Sequence, residues 1–254
     1  MSEKLTAIAE GLRAAVGKWK DRTTAAIIVA AGNSTRMGSA IPKQFMPLNG
    51  IPAVVRTLRA YEEAEYVSFI VVVARPGDRE RYLEYKEKFN LTKLRDIVEG
   101  GATRQESVLH GIETIGESAK YVAIADGVRP LITPRAIDTV CLAAYRYGAA
   151  SAAFRATDTI KTADKHGFVT GPIDRTPVWN ATTPQVFDIN IYRAAAYHAL
   201  DTKFAATDDN SLVENIDRPV KLVDCGKENL KLTEPTDVCI AEALLARREK
   251  EMMQ

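Results

Sequence analysis

Charge of one sign is missing from this sequence. Its 254 residues carry 34 Lys plus Arg against 33 Asp plus Glu, a formal net charge of +1. A nucleic-acid binder or a polybasic membrane-surface protein shows a large excess of one sign, so no nucleic acid and no membrane is expected as partner. Cysteine is scarce. Cys141, Cys225 and Cys239 stand far apart without a CxxC pair, which argues against a disulfide framework or thiolate zinc site and for reduced thiols. Long apolar runs are absent; no window approaches the roughly 18 residues of a membrane helix. Residues 1–24 lack the apolar core of a signal peptide and carry Glu3, Glu10 and Asp21, which makes them a poor transit peptide. A cytoplasmic location is the expectation. Repeats, low-complexity tracts, a GxGxxG and a Walker A motif are absent too, which removes solenoids, dinucleotide-binding fingerprints and P-loop enzymes.

What is present suits a globular α/β chain, with 26% charged and 46% hydrophobic residues. AAIIVA (25–30), FIVVVA (69–74) and YVAIA (121–125) are short apolar runs of the kind that become strands buried on both faces. Mixed stretches at 52–62, 78–89 and 104–115 suit helices between them, so a mostly parallel central sheet with helices on both faces is expected. Thr133-Pro134 reads as an N-cap and N1 proline opening a helix to about Tyr147. Strands are expected at 151–156 and 220–224, and helices near 188–200 and 208–215. A final helix runs from about Pro235 to Glu251, capped by Thr233. Residues 156–178 hold two β-prone pieces around an Asp164–Gly167 turn with few apolar anchors, and read as a projecting arm. Leu5, Ile8, Ala9, Leu12, Val16 and Trp19 recur at helical spacing. They make residues 1–24 an amphipathic extension that packs on its own domain or a partner subunit, or lies on a membrane surface. Residues 25–254 are expected to form one domain with the arm.

The first strand runs straight into Ala30-Ala31-Gly32-Asn33-Ser34-Thr35-Arg36-Met37-Gly38, with Pro42-Lys43-Gln44 shortly after. In an open α/β sheet, ligands bind outside the carboxyl ends of the strands. Small residues there let backbone N–H groups approach phosphate oxygens. Arg36 adds a planar cation and Lys43 a compact one.

This loop resembles the signature loop of nucleotidyltransferases that activate sugar and polyol phosphates. It is most similar to the 2-C-methyl-D-erythritol 4-phosphate cytidylyltransferase family of the non-mevalonate isoprenoid pathway. Further blocks match in order over roughly residues 25–247: Gly100-Gly101-Ala102-Thr103-Arg104-Gln105-Glu106-Ser107-Val108, Asp126-Gly127-Val128-Arg129-Pro130 and Asp158-Thr159-Ile160-Lys161. Asp174-Arg175, Thr182-Thr183-Pro184-Gln185, Thr207-Asp208-Asp209 and Asn229-Leu230-Lys231-Leu232-Thr233 follow. Ala125 stands where the family usually has His, Gly127-Val128 where it has Ala-Ala, and Ala102 where some members are acidic.

The resemblance implies a Rossmann-like nucleotidyltransferase fold and a role for each matched residue. Arg36 and Lys43 contact the CTP triphosphate, with Lys231 near the α-phosphate from the other side. Ala30, Ala31 and Gly32 supply backbone contacts to the nucleotide; Gly101, Ala102 and Ser107 lie at the cytosine, and Asp126 and Gly127 near the ribose and acceptor. Thr159 and Arg175 on the arm cross into the site of a second copy in a homodimer, and Thr183 and Thr207 complete the acceptor pocket. Mg²⁺ is implied as cofactor, held largely by CTP phosphates, with no protein metal ligand named. Two residues keep a plainer reading: Asp126 as a turn cap, and Arg129 as an ion-pair partner fixing the loop. His110, His166 and His198 lie outside every matched loop, and a phosphate acceptor with a second pKa of about 6 needs no base. Alternatives are a ribitol 5-phosphate cytidylyltransferase and a catalytically silent nucleotide binder on the same fold.

Overall fold

The apolar runs are strands because both of their faces are covered. In β1 (Thr24–Val29), Ala26 and Ile28 join one hydrophobic cluster while Ala25 and Ile27 join another on the opposite face. The computed structural model describes residues 2–16, 22–32 and 41–252. After β1 a small hairpin, β2 (Pro47–Leu48) and β3 (Ile51–Pro52), leads into α2 (Ala53–Glu63). The chain continues through β4 (Phe69–Ala74), α3 (Arg79–Lys88), β5 (Leu94–Glu99), α4 (Arg104–Ile115) and β6 (Tyr121–Asp126). Then come α5 (Pro134–Tyr147), β7 (Ala149–Arg155), the arm strands β8 (Lys161–Ala163) and β9 (Val169–Pro172), and β10 (Trp179–Asp188). α6 (Ile189–Thr202), α7 (Asp209–Glu214), β11 (Lys221–Asp224) and α8 (Pro235–Met252) complete it, and α1 (Ser2–Val16) precedes β1.

Seven strands form one sheet in the order β11-β7-β10-β6-β1-β4-β5. Six share one direction, and β10 is antiparallel to both its neighbours. The α2 and α5 side chains Val54, Leu58, Ile137 and Val140 cover one face, and the α4 and α6 side chains Val108, Ile112, Tyr192 and Ala196 the other. The sheet is therefore Rossmann-like, as expected. Because the strands run together, the loops after β1, β5, β6, β7 and β11 all emerge at one end, where the matched blocks also lie.

Besides the short hairpin strands β2 and β3, two strands of the main sheet escaped the sequence reading. LRDIVE (94–99) has few apolar residues because β5 is an edge strand with one partner. β10 contains Thr182-Thr183-Pro184-Gln185, and a proline argues against a central strand; an irregularity between Ala181 and Gln185 accommodates it.

The α5 cap is as expected, with the Thr133 hydroxyl accepting from the Ala136 N–H at 3.2 Å. The α8 cap is not. The Thr233 hydroxyl donates to the Lys231 carbonyl, and the Asp237 carboxylate receives the N–H groups of Thr233 and Glu234 at 2.6 and 2.8 Å. Asp237 is the better acceptor because it is charged and sits at a positive helix end.

In the arm, β8 and β9 pair around a turn that Asp164 organises by accepting the His166 and Phe168 N–H groups. Its strand residues are exposed apart from Gly171, and Phe168 stands 73% open. Leu5 and Leu12 of α1 are buried, and that helix packs against α5. Trp19 lies outside the described residues, as does the Val16 side chain.

Candidate active site

The cleft forms where β1 and β6 end and the loop after β5 turns into α4. Ala30 follows β1 as part of the core, with its N–H donating to Val73 O and its carbonyl accepting from the buried Gln44 side chain. Gly100 permits the opposite wall. A Cβ there would lie 2.5 Å from the Ala31 Cβ and 2.9 Å from the Ser107 Oγ, so only glycine lets the two loops close on each other. The wall is then fixed by a capping box at the start of α4. Thr103 Oγ1 accepts from the Glu106 N–H, and the Glu106 carboxylate accepts from Thr103 N and, at 2.7 Å, from Ala102 N.

Between these walls lies a cleft of about 280 Å³, at the small-ligand scale. Ala30, Ala31 and Gly32 line one side, and Gly101, Ala102 and Ser107 the other. Lys43, Asp126 and Lys231 close it. Of the residues named in advance for catalysis and nucleotide contact, these nine come together; Arg36 lies outside the described residues. Two placements differ in kind from the expectation. Gly127 does not line the cleft; it is packed against β1, where a Cβ would meet Ala30 at 3.0 Å. Ser107 is buried, its hydroxyl accepting from Gly101 N and donating to Thr103 O, so its visible work is to shape the loop.

Asp126 is the electrostatic centre. Lys231 Nζ and Arg129 Nε each lie 3.1 Å from its Oδ2, and Arg104 Nε lies 4.0 Å from Oδ1. Burial alone pushes this carboxyl up; Arg129, then Lys231 and Arg104, outweigh that and hold it below its ordinary value. Thr183, expected in the acceptor pocket, is buried beside it and accepts the Asp126 N–H through its hydroxyl at 3.1 Å. Arg129 is the ion-pair partner of the plainer reading, and also donates to Asn229 O at 2.7 Å, tying the β6 end to the Lys231 loop. A second hollow, lined by Arg129, Thr182, Lys227 and Asn229 among others, shares Lys231 with the cleft.

The remaining acceptor-side residues are not in the cleft of their own chain. Thr159, Arg175 and Thr207 are exposed. Arg175 donates to Thr157 O within the arm, and the Thr207 hydroxyl is 2.9 Å from Ser211 Oγ. None of the three histidines lines the cleft. Among the described residues no three His, Cys, Asp or Glu side chains group to hold a metal ion.

A family model described as 2-C-methyl-D-erythritol 4-phosphate cytidylyltransferase matches residues 24–247. The chain belongs to this family. A cytidylyltransferase of that name from Pelotomaculum thermopropionicum is 40% identical over 226 residues, spanning 89% of this chain and 95% of the relative. Another, from Geobacillus kaustophilus, is 39% identical over 226 residues, spanning 89% and 98%. The crystal structure of 4-diphosphocytidyl-2C-methyl-D-erythritol synthase from Anaerococcus prevotii superposes with a TM-score of 0.79 at 28% identity, covering 94% of this chain and 99% of that one.

One cleft residue of this cytidylyltransferase-family chain and its buried partner were passed over in the sequence. Arg104 lines the cleft and Asp209 receives its guanidinium. Both stand inside quoted blocks, but nothing in their spacing, 105 positions apart, says that they meet.

Proposed function

We propose that this protein transfers the cytidylyl group of CTP to 2-C-methyl-D-erythritol 4-phosphate, giving 4-(cytidine 5'-diphospho)-2-C-methyl-D-erythritol and pyrophosphate. The observation that carries this reading is the convergence of Lys43 and Lys231 on one small cleft floored by Ala30 to Gly32. Two cations converging on one cleft are what an attack of one phosphate on another requires.

An acceptor phosphate oxygen forms a bond to the α-phosphorus of CTP, and the bond from that phosphorus to the bridging oxygen of pyrophosphate breaks. The nucleophile is already dianionic near neutrality, so no side chain need remove a proton. The obstacle is repulsion between anions. Lys43 faces the triphosphate, a role we also assign to Arg36 from its matched block, and Lys231 stands where the cleft meets the second hollow. Lys231 rests on Asp126, which orients its ammonium and can be exchanged for a substrate anion. We place the methylerythritol phosphate in the second hollow, with Arg175 and Thr159 reaching it from the arm of a second copy and Thr207 contributing from the loop before α7.

Mg²⁺ fits this site as a phosphate-borne ion, because Asp126 already spends both oxygens on cations and offers no free carboxylate cage. Bound to the triphosphate, it would screen charge and accompany the leaving pyrophosphate; Lys43 and Lys231 would hold that complex through its oxygens. Residues 25–254 would act as one catalytic unit in a cytoplasmic homodimer.

The test is pyrophosphate release with CTP and Mg²⁺, using methylerythritol phosphate and ribitol 5-phosphate in parallel. Release with the first and not the second is expected, with Lys43→Ala losing about two to three powers of ten in kcat. Preference for ribitol 5-phosphate, or robust turnover by the variant, refutes the reading.

A further inference from the structure

We propose that Arg104 is a positioning residue that couples the nucleotide cleft to the loop carrying Thr207, acting through the buried carboxylate of Asp209; the coupling rests on the cytidylyltransferase reading above. Arg104 opens α4 directly after the wall formed by Gly100 to Thr103, and lines the cleft. Its Nη2 lies 2.7 Å from Asp209 Oδ2, and its Nε faces Asp126. One planar guanidinium thus spans two carboxylates that sit on different elements, which a lysine ammonium cannot do as well.

Asp209 is held from every side. It is 1% exposed, and its Oδ1 accepts from the Tyr192 hydroxyl at 2.8 Å. Gln185 Oε1 receives the N–H groups of Asp209 and Asn210, while Gln185 Nε2 donates to Asp208 Oδ2 at 2.7 Å. Asp208 Oδ1 in turn accepts from the N–H and the hydroxyl of Ser211, whose Oγ is the neighbour of Thr207 Oγ1. An unbroken chain of polar contacts therefore runs from the nucleotide wall to Thr207.

The energetics give Arg104 the deciding place in that chain. α7 has six residues, too few to persist without outside contacts. A carboxylate buried as deeply as Asp209 is tolerated only opposite a charge, and among the described residues Arg104 is the cation that reaches it. Anything that settles the nucleotide wall settles Arg104, hence Asp209, hence the Thr207 loop. A nucleotide in the cleft should therefore order the acceptor side before the acceptor arrives, which matches the cost of orienting two anions for in-line attack.

Hydrogen exchange of residues 207–214, with and without saturating CTP, measures the coupling without needing an acceptor. Wild type is expected to show several-fold slower exchange in this segment on CTP addition. Arg104→Gln and Asp209→Asn should each reduce that response to less than about twofold, and the double variant should be no worse than either, since residues acting as a unit are non-additive. In steady state Arg104→Gln should raise the acceptor KM about tenfold, the size expected for a lost charged contact, and clearly more than it raises the CTP KM. Arg104→Lys, which keeps the charge opposite Asp209, covers the case in which the Gln variant does not fold and should retain part of the exchange response. A response to CTP that survives unchanged in the folded variants, or CTP and acceptor KM values that rise together, overturns the coupling. Wild-type turnover with methylerythritol phosphate reports on the proposed reaction separately, so the two can fail independently.

Discussion

Replacing Asp126 by Asn removes one negative charge from a buried ion cluster of the cleft while keeping side-chain volume. The carboxylate is 6% exposed and Arg129 9%, and their contact is 3.1 Å. Taking the anion away leaves the Arg129 cation buried without an opposite charge, though Asn229 O still accepts from it. Breaking a buried pair from one side costs about 3–5 kcal/mol. Lys231, 40% exposed on its side chain, adds little because solvent screens it. For a chain of this size each kcal/mol moves Tm by about 2–4 °C, so a fall of roughly 10 °C is expected at pH 7. The pH dependence carries a second signature. Folding lowers the Asp126 pKa, since Arg129, Lys231 and Arg104 together outweigh burial. The unfolded chain thus binds that proton more readily, and the stability gained is complete above the unfolded value of about 3.9. It drains away as pH falls through the lower folded value. Urea unfolding of both proteins at pH 7, 5 and 3.5 should show a gap that is constant between the first two and narrower at the third. A gap under about 1 kcal/mol at pH 7, or one that does not narrow in acid, refutes the buried-cluster reasoning.

Gly100→Ala should raise the KM for CTP and lower stability by about 1–3 kcal/mol, the cost of overpacking, because its Cβ would lie 2.5 Å from that of Ala31. Unchanged CTP kinetics would show that the loops need not close so tightly. Thr103→Ala should lose about 1 kcal/mol in thermal unfolding through loss of the capping box; a shift within experimental error would place the loop's support elsewhere. Mixing Lys43→Ala with Arg175→Ala protein should restore about a quarter of wild-type activity if each site takes residues from two copies of a symmetric dimer. No recovery, with subunit exchange verified by native mass spectrometry, would confine the site to one chain.

What could be seen in advance follows from what each segment buries. FIVVVA was legible because alternate side chains of β4 enter two different cores, and a continuous apolar run is the only pattern that satisfies both. LRDIVE was not, because an edge strand needs apolar residues only where helices cover it. β10 hid behind its polar side chains. Thr182, Thr183 and Gln185 are buried there not to fill a core but to position Asp126, Asn229 and α7 by hydrogen bonds. The same reason explains the passed-over site residues. Lys43 and Lys231 could be named from local motifs, whereas Arg104 and Asp209 acquire meaning only when the fold sets them 2.7 Å apart. Near-neutral net charge conceals this most effectively, since +1 over 254 residues predicts no affinity for anions. Affinity depends on where charges are, and strand ends that all point one way gather Lys43, Arg104 and Lys231 on a cleft where, among the described residues, Asp126 is the one lining carboxylate. A sheet of parallel strands thus builds a local field that composition cannot report, and reversing any cleft-bearing strand would scatter it.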